Sequence, residues 1–414
     1  MTQIRQWPYA FALGLSIVVG AAAVVSSLYL DVPLKDPDGF LGPSFVRLPL
    51  MALLIIGAGL VVDALRRSGW RQLPTTIREV VKEEWNAHRF LCIGAGLLSF
   101  YICYIGYRNL KNVLPIFREG TLFDQDLLRL DHWLSGGHDP AMILHGLFGT
   151  DIMAEFLSVV YLSYLPLVPI SLGVVLIFSR NLAIGAWYST TLCLNWVLGT
   201  VSYYILPSLG PVFTHPSSYS RLPETGVGEL QEVLLANRLD FLAAPATSES
   251  IQGVAAFASL HVSVTFAAAL FLERTARRQL TRTAAWIFFG VTVVATLYFG
   301  WHYIADDIAG MVIGWASVTL GARVTGNWPK RRRQPADIVD TSLPDRMRPK
   351  LDTAGLTLED ATRSPIDDGL DDLPEAVPPK VERPSQVKAQ STVERPSKVE
   401  RPSTVEAQSE TKAV

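Results

Sequence analysis

A chain of 414 residues that is 49% hydrophobic and only 18% charged exposes more apolar surface than a water-soluble enzyme covers, so a membrane protein is the first expectation. The formal net charge of -2 combines a basic apolar part with an acidic tail. No nucleic-acid motif accompanies it, so no nucleic-acid partner is expected. The three cysteines, Cys92, Cys103 and Cys193, all lie inside apolar runs, which leaves neither a disulfide framework nor a metal-ligand spacing.

In chain order, eight runs are long enough for a helix to cross about 30 Å of hydrocarbon: 9 to 30, 48 to 65, 90 to 107, 153 to 178, 182 to 206, 253 to 272, 284 to 301 and 304 to 323. The first follows a lone Arg5 and has no small-residue cleavage site before "DVPLKDPDGF", so it reads as a retained helix, not a removed signal. The fold class expected is all-α and polytopic. Basic residues alternate between the loops. Arg66, Arg67, Arg71, Arg78, Lys82 and Arg89 crowd the second; Arg180 marks the fourth turn; Arg274, Arg277, Arg278 and Arg282 fill the sixth; Lys330, Arg331, Arg332 and Arg333 follow the last span. Such residues stay on the cytoplasmic side. Both termini are therefore expected in the cytoplasm of a multi-pass cell-membrane protein, with the turn at 302 to 303 facing outward.

The outward 108 to 152 loop breaks that pattern, opening with Arg108 and Lys111. Its alternation of acids and apolar residues at helical spacing, with Asp139 and Pro140 as N-cap and first position, predicts two short surface helices. Its histidines, His132, His138 and His145, match no standard metal site, and no metal is expected. Beyond Arg323 the composition turns to Pro, Ser, Glu, Lys and Thr, with "VERPS" at 381, 393 and 399. Such a segment cannot bury enough apolar area to fold. A disordered cytoplasmic tail is expected, open to a cytoplasmic partner.

The chemistry concentrates in "YFGWHYIADDIAG", 298 to 310. Ionisable groups at membrane depth are costly and face a bundle interior or a wet cavity. Asp306 follows His302 by four positions, a helical spacing that lets the carboxylate orient the imidazole and raise its basicity. Asp307 is rotated away, toward a cap or solvent. His261, in "AAFASLHVSVTF", converges near the same depth and suits a proton donor to a leaving oxygen. Arg108 and Lys111 are the cations available to a transferring phosphoryl group. Each group alone has a bland reading, as core histidine, helix cap or headgroup anchor; their coincidence on one face favours phosphoryl transfer through a phosphohistidine.

"SLH" at 259 to 261 and "GWHYIADDIAG" at 300 to 310 resemble the second and third signatures of the type 2 phosphatidic acid phosphatase (PAP2) superfamily. The H-Y-x-x-D element is similar to that of the inositol phosphorylceramide synthase-like (inositolphosphotransferase) branch and of sphingomyelin synthases. The resemblance covers roughly 90 to 323. It implies a six-helix transmembrane bundle at 90-323, preceded by two extra N-terminal helices and a basic loop at 1-89 and followed by the tail at 324-414. It also implies His302 as nucleophile, Asp306 as its support, His261 as proton donor, and no cofactor. The chain departs from the superfamily's phosphatases in lacking K-x6-R-P before the second signature, where it reads "YYILPSLGPVF", and in carrying Ala295 and Thr296 in place of S-R. Arg108 and Lys111 are expected to supply the missing phosphate-binding charge, with Tyr203, Tyr204, Gly210, Pro211 and Ser259 shaping the pocket.

The function expected is a membrane phosphotransferase or phosphatase acting on a lipid phosphate or phosphodiester at the outer face. A polyol such as inositol, or a lipid hydroxyl, as acceptor makes it a transferase, the group transferred being in one version a polyol phosphate such as inositol phosphate; water makes it a lipid phosphate phosphatase of phosphatidic acid or polyprenyl phosphate type. Two further classes compete: a haem-binding electron-transfer protein with His261 and His302 as axial ligands, and a transporter using them as a proton relay.

Overall fold

The computed structural model describes residues 7–37, 44–83, 85, 87–179 and 181–328. Arg5, Arg180, Lys330, Arg331, Arg332, Arg333 and the expected tail with its "VERPS" repeats lie outside the described residues. Within them the chain is helical, without strands. The helices are α1 (Ala10–Leu30), α2 (Ser44–Ser68), α3 (Leu73–Glu83), α4 (Ala87–Phe117), α5 (Asp124–Leu134), α6 (Pro140–Phe148), α7 (Ile152–Phe178), α8 (Leu182–Ile205), α9 (Pro211–Thr214), α10 (Gly226–Ala243), α11 (Leu260–Thr275), α12 (Gln279–Tyr298) and α13 (Ile304–Val324). Each expected span falls on one of them. The surface pair expected in the 108 to 152 loop is α5 and α6, and the Asp139 side chain accepts from the Ala141 N–H at 2.9 Å, capping α6 as its sequence suggests.

Of the eight spans expected, those on α2, α8 and α11 do not enter the set: among the described residues five helices, α1, α4, α7, α12 and α13, are long and apolar enough to cross a membrane. Large apolar side chains such as Ile17, Val18, Leu28, Ile152, Val159 and Val312 stand exposed on them. That is an arrangement suited to lipid and not to water.

Helix α8 is different in kind. It is buried along most of its length and carries Ser189, Thr190, Thr191 and Asn195. Apart from the Thr190 hydroxyl, which is buried without a partner, this polarity is absorbed within the bundle: Ser189 Oγ donates to the Gly96 carbonyl at 3.1 Å, Thr191 Oγ1 to the Trp187 carbonyl at 2.8 Å, Asn195 Nδ2 to the Thr191 carbonyl at 2.7 Å, Ser263 Oγ to Asn195 Oδ1, and Trp187 Nε1 to the Val318 carbonyl at 2.9 Å. Satisfied groups of this kind cost little to bury. Helices α4 and α13 pack around this centre, and α11 packs on α13. At that last contact a Cβ on Gly310 or Gly314 would run into the backbone carbonyls of Ser259 and Ser263, so glycine permits the close approach.

One boundary differs from expectation. The apolar run from 253 is not helical at its start: residues 244–259 lie outside any helix, and α11 begins only at Leu260. The N–H groups of this segment find partners elsewhere. Gln252 donates to Asn112 Oδ1 at 2.8 Å, Ala256 to the Ser208 carbonyl at 2.9 Å, and Phe257 to Ser208 Oγ at 3.0 Å. The backbone is satisfied by its neighbours, so burial there needs no helix.

Candidate active site

The segment 244–259 delivers His261 to the site, and the turn between α12 and α13 delivers His302. Gly300 and Gly210 make their approach possible. Both have positive φ, +66° and +109°, and a Cβ on Gly210 would strike the Trp301 carbonyl. The 207–210 loop and the His302 turn are joined by a backbone bond from Val212 N to the Gly300 carbonyl at 2.9 Å.

His302 is 6% exposed and Asp306 fully buried; Nδ1 of the imidazole stands 3.4 Å from Asp306 Oδ2. The spacing of four brings them together even though His302 precedes the helix. Asp306 also accepts from the Tyr303 N–H at 3.0 Å, and its own carbonyl accepts from the Ser259 N–H at 3.0 Å, tying the two signature segments to each other. Burial pushes the His302 pKa down to about 4; nearby Lys111 acts in the same direction, while Asp307 and the Ala256 carbonyl oppose it. The imidazole is therefore neutral near pH 7, the form with a lone pair to donate.

Asp307 does not face solvent. It is 2% exposed, accepts from Thr296 Oγ1 at 2.9 Å, and is an electrostatic neighbour of His302. Thr296 thus holds a carboxylate beside His302 at one of the positions where the sequence lacks the S-R pair. This bond crosses from α12 to α13, and sequence spacing alone gives no sign of it.

His261 lies between Tyr161 and Tyr164, with ring centroids 4.3 and 4.1 Å away. Its Nε2 is buried and has no hydrogen-bond partner. The ring centroids of His261 and His302 are 6.4 Å apart, close enough for both imidazoles to reach opposite sides of one tetrahedral group, given reacting atoms about 3–3.5 Å apart. Lys111 interacts electrostatically with both. The Lys111 side chain is buried; its Nζ reaches the Ala255 carbonyl at 3.5 Å and lies 4.8 Å over the Tyr203 ring. Arg108 stands one turn earlier on α4, alongside Gly253, where an added Cβ would come within 3.6 Å of its Nη1.

The remaining expected residues are placed less directly. Tyr203 packs under Lys111, whereas the Tyr204 hydroxyl donates to the Leu110 carbonyl at 2.7 Å and so is turned to α4. Ser259 caps α11, its Oγ accepting from Val262 N at 3.4 Å. Pro211 is the first residue of α9. Of the three loop histidines, His145 bonds the Tyr298 carbonyl through Nε2 at 2.9 Å. No three His, Cys, Asp or Glu side chains converge as metal ligands among the described residues.

Two acids unmarked in the sequence hold the site together. Both come from α5, seven residues apart. Asp124 accepts from Leu209 N at 3.0 Å, Gly210 N at 2.9 Å and the Tyr303 hydroxyl at 2.9 Å. Asp131 accepts from Ile304 N at 3.0 Å, supplying the acceptor that the first turn of α13 requires. Burial raises its pKa to about 7 against the Ile304 hydrogen bond, with Asp306 and Asp139 adding to the rise. Arg238 of α10 is also buried, bonds Gln252 Oε1 at 3.4 Å, and is an electrostatic neighbour of Lys111.

Residues 125–320 match the family model described as the PAP2 superfamily, whose members are in general phosphatases and phosphotransferases. The match spans α5 to α13 and contains His261, His302, Asp306, Asp307 and Asp131 but not Arg108, Lys111 and Asp124. No curated protein and no solved structure matches the chain.

Proposed function

We propose that this membrane protein is a phosphotransferase acting on a lipid phosphate or phosphodiester, with His302 as the phosphorus nucleophile. The observation carrying this reading is the placement of a neutral, buried His302 against Asp306, with the unpartnered Nε2 of His261 and the buried Lys111 close to it. In the first step the His302 lone pair attacks phosphorus and the bond to the lipid oxygen breaks; that oxygen takes its proton from the imidazolium form of His261, which the bound phosphate anion favours. In the second, an acceptor hydroxyl attacks the phosphohistidine, its proton passes to His261, and the phosphorus–nitrogen bond breaks. Asp306 orients the ring, and Lys111 with Arg108 stabilises the charge on the equatorial oxygens.

The resemblance of H-Y-x-x-D to inositolphosphotransferases supports a polyol acceptor such as inositol. The basic ends of α2 and α11, with Arg66, Arg67 and Arg274, support cytoplasmic placement of those ends, and hence an active site facing outward. The test is incubation of the purified protein with lipids labelled at phosphorus, with and without inositol, beside His302→Ala. A labelled polyol or lipid product is expected from the wild type and none from the variant. Free phosphate as the only product would make the protein a hydrolase, and turnover surviving in the variant would sink the mechanism.

A further inference from the structure

Next to the candidate active site, at the same end of the bundle, lies a second polar cleft. It is bounded by the end of α4 and the turn after it, by the 207–209 loop, by α10 and by Val254; Arg118, Thr121, Ser208 and Arg238 supply its polar lining. Among the described residues neither guanidinium group makes an ion pair; Arg238 is buried and Arg118 partly buried. Arg118 Nε is buried without a hydrogen-bond partner. Arg238 is 9% exposed, and its bond to Gln252 is long, at 3.4 Å. The acid that influences Arg238, Asp124, is already engaged by the N–H groups of Leu209 and Gly210 and by the Tyr303 hydroxyl.

Buried cations are costly unless an anion meets them. Two forked guanidinium groups fit the tetrahedral oxygens of a phosphate better than a point anion. The cleft is not the place where phosphorus reacts, but it adjoins that place. Ser208 in its wall accepts from Ala256 N and Phe257 N, and the Ala256 carbonyl borders the His302 ring. The rim at Gly120 and Thr121 is exposed backbone outside the helices.

We propose that this cleft binds the phosphate of a water-soluble phosphorylated polyol, holding it while a free hydroxyl of the same molecule reaches the phosphohistidine. The inference rests on the phosphotransfer reading above and narrows its acceptor from a neutral polyol to an anionic one. The non-reacting phosphate stays intact; only the acceptor's oxygen–hydrogen bond and the phosphorus–nitrogen bond are broken.

The test is calorimetric titration of the full chain in phosphatidylcholine nanodiscs with glycerol 3-phosphate and with glycerol. The phosphate should bind and glycerol should not. Arg118→Gln and Arg238→Gln should each weaken binding about tenfold or more, with Arg118→Lys recovering part of the loss and His302→Ala leaving affinity unchanged. Equal affinity in wild type and both glutamine variants, or no binding at millimolar concentration, would overturn the proposal. So would competition from phosphatidylglycerol in the disc, which would make the occupant a lipid headgroup. Labelling of His302 by a labelled lipid, measured in parallel, separates the two readings. Labelling with arginine-independent binding defeats the cleft alone; arginine-dependent binding without labelling defeats the phosphotransfer reading and the acceptor role with it.

Discussion

Replacing Asp124 should damage the fold and the site together. The carboxylate is 4% exposed and accepts from two backbone N–H groups and the Tyr303 hydroxyl. Asp124→Ala leaves two backbone N–H groups without an acceptor, at about 1–3 kcal/mol each, and the Tyr303 hydroxyl with Thr214 Oγ1 alone, 3.1 Å away. Removing a desolvated carboxylate offsets part of this, leaving a net loss of roughly 2–5 kcal/mol. For a structured part of this size that is a fall in melting temperature of roughly 3–8 °C. Asp124→Asn keeps one acceptor oxygen but turns an NH2 group toward the remaining donors, so its loss should be intermediate. Because Tyr303 adjoins His302, turnover should fall further than stability explains; a displacement of about 1 Å can cost about a hundredfold. Thermal unfolding in detergent, followed by tryptophan fluorescence, and turnover at a temperature where both variants are folded are the assays. An alanine variant melting within about 1 °C of wild type, or an asparagine variant worse than alanine, would refute the reasoning.

Glycine positions separate packing from propensity. Gly310→Ala should destabilise by about 1–3 kcal/mol, since its methyl group meets the Ser259 carbonyl, while Gly290→Ala, with open space around it, should be neutral or stabilising by up to about 1 kcal/mol; melting temperatures read both. Lys111→Ala should slow turnover about 10²–10³-fold and Arg108→Ala by less, and unchanged turnover in both would remove them from phosphate binding. The pH dependence has opposing parts. Asp131 has a folded pKa of about 7 against 3.8 unfolded, so its contribution is full below about pH 4 and lost as pH rises through 7; His302, at about 4 against 6.5, contributes above about pH 6.5 and loses this as pH falls through 4. The difference in melting temperature, Asp131→Asn minus wild type, should therefore increase from pH 4 to pH 7, and a flat difference would contradict the burial argument.

What the sequence reveals depends on the range of the interaction. Runs such as 153 to 178 mark α7 because an uninterrupted apolar helix needs no neighbour to be recognised. The pairing of His302 and Asp306 is legible because four residues bring them within 3.4 Å. The start of α11 is not legible: "GVAAFAS" is as apolar as a span, and its backbone N–H groups are held out of a helix by Ser202, Ser208 and Asp306, all contributed from other segments. Asp124, Asp131 and Arg238 read as ordinary surface charges on amphipathic stretches. Their burial and partners arise from segments 85, 173 and 14 residues away, and no local pattern encodes those meetings.

The central claim is a phosphorus–nitrogen bond at His302. Rapid quenching of the full-length protein with a lipid labelled at phosphorus, followed by proteolysis and mass spectrometry under alkaline conditions, measures it directly. An acid-labile, base-stable phosphoryl group is expected on the peptide containing His302, absent in His302→Ala. Steady turnover of the same lipid with no label on that peptide would contradict it.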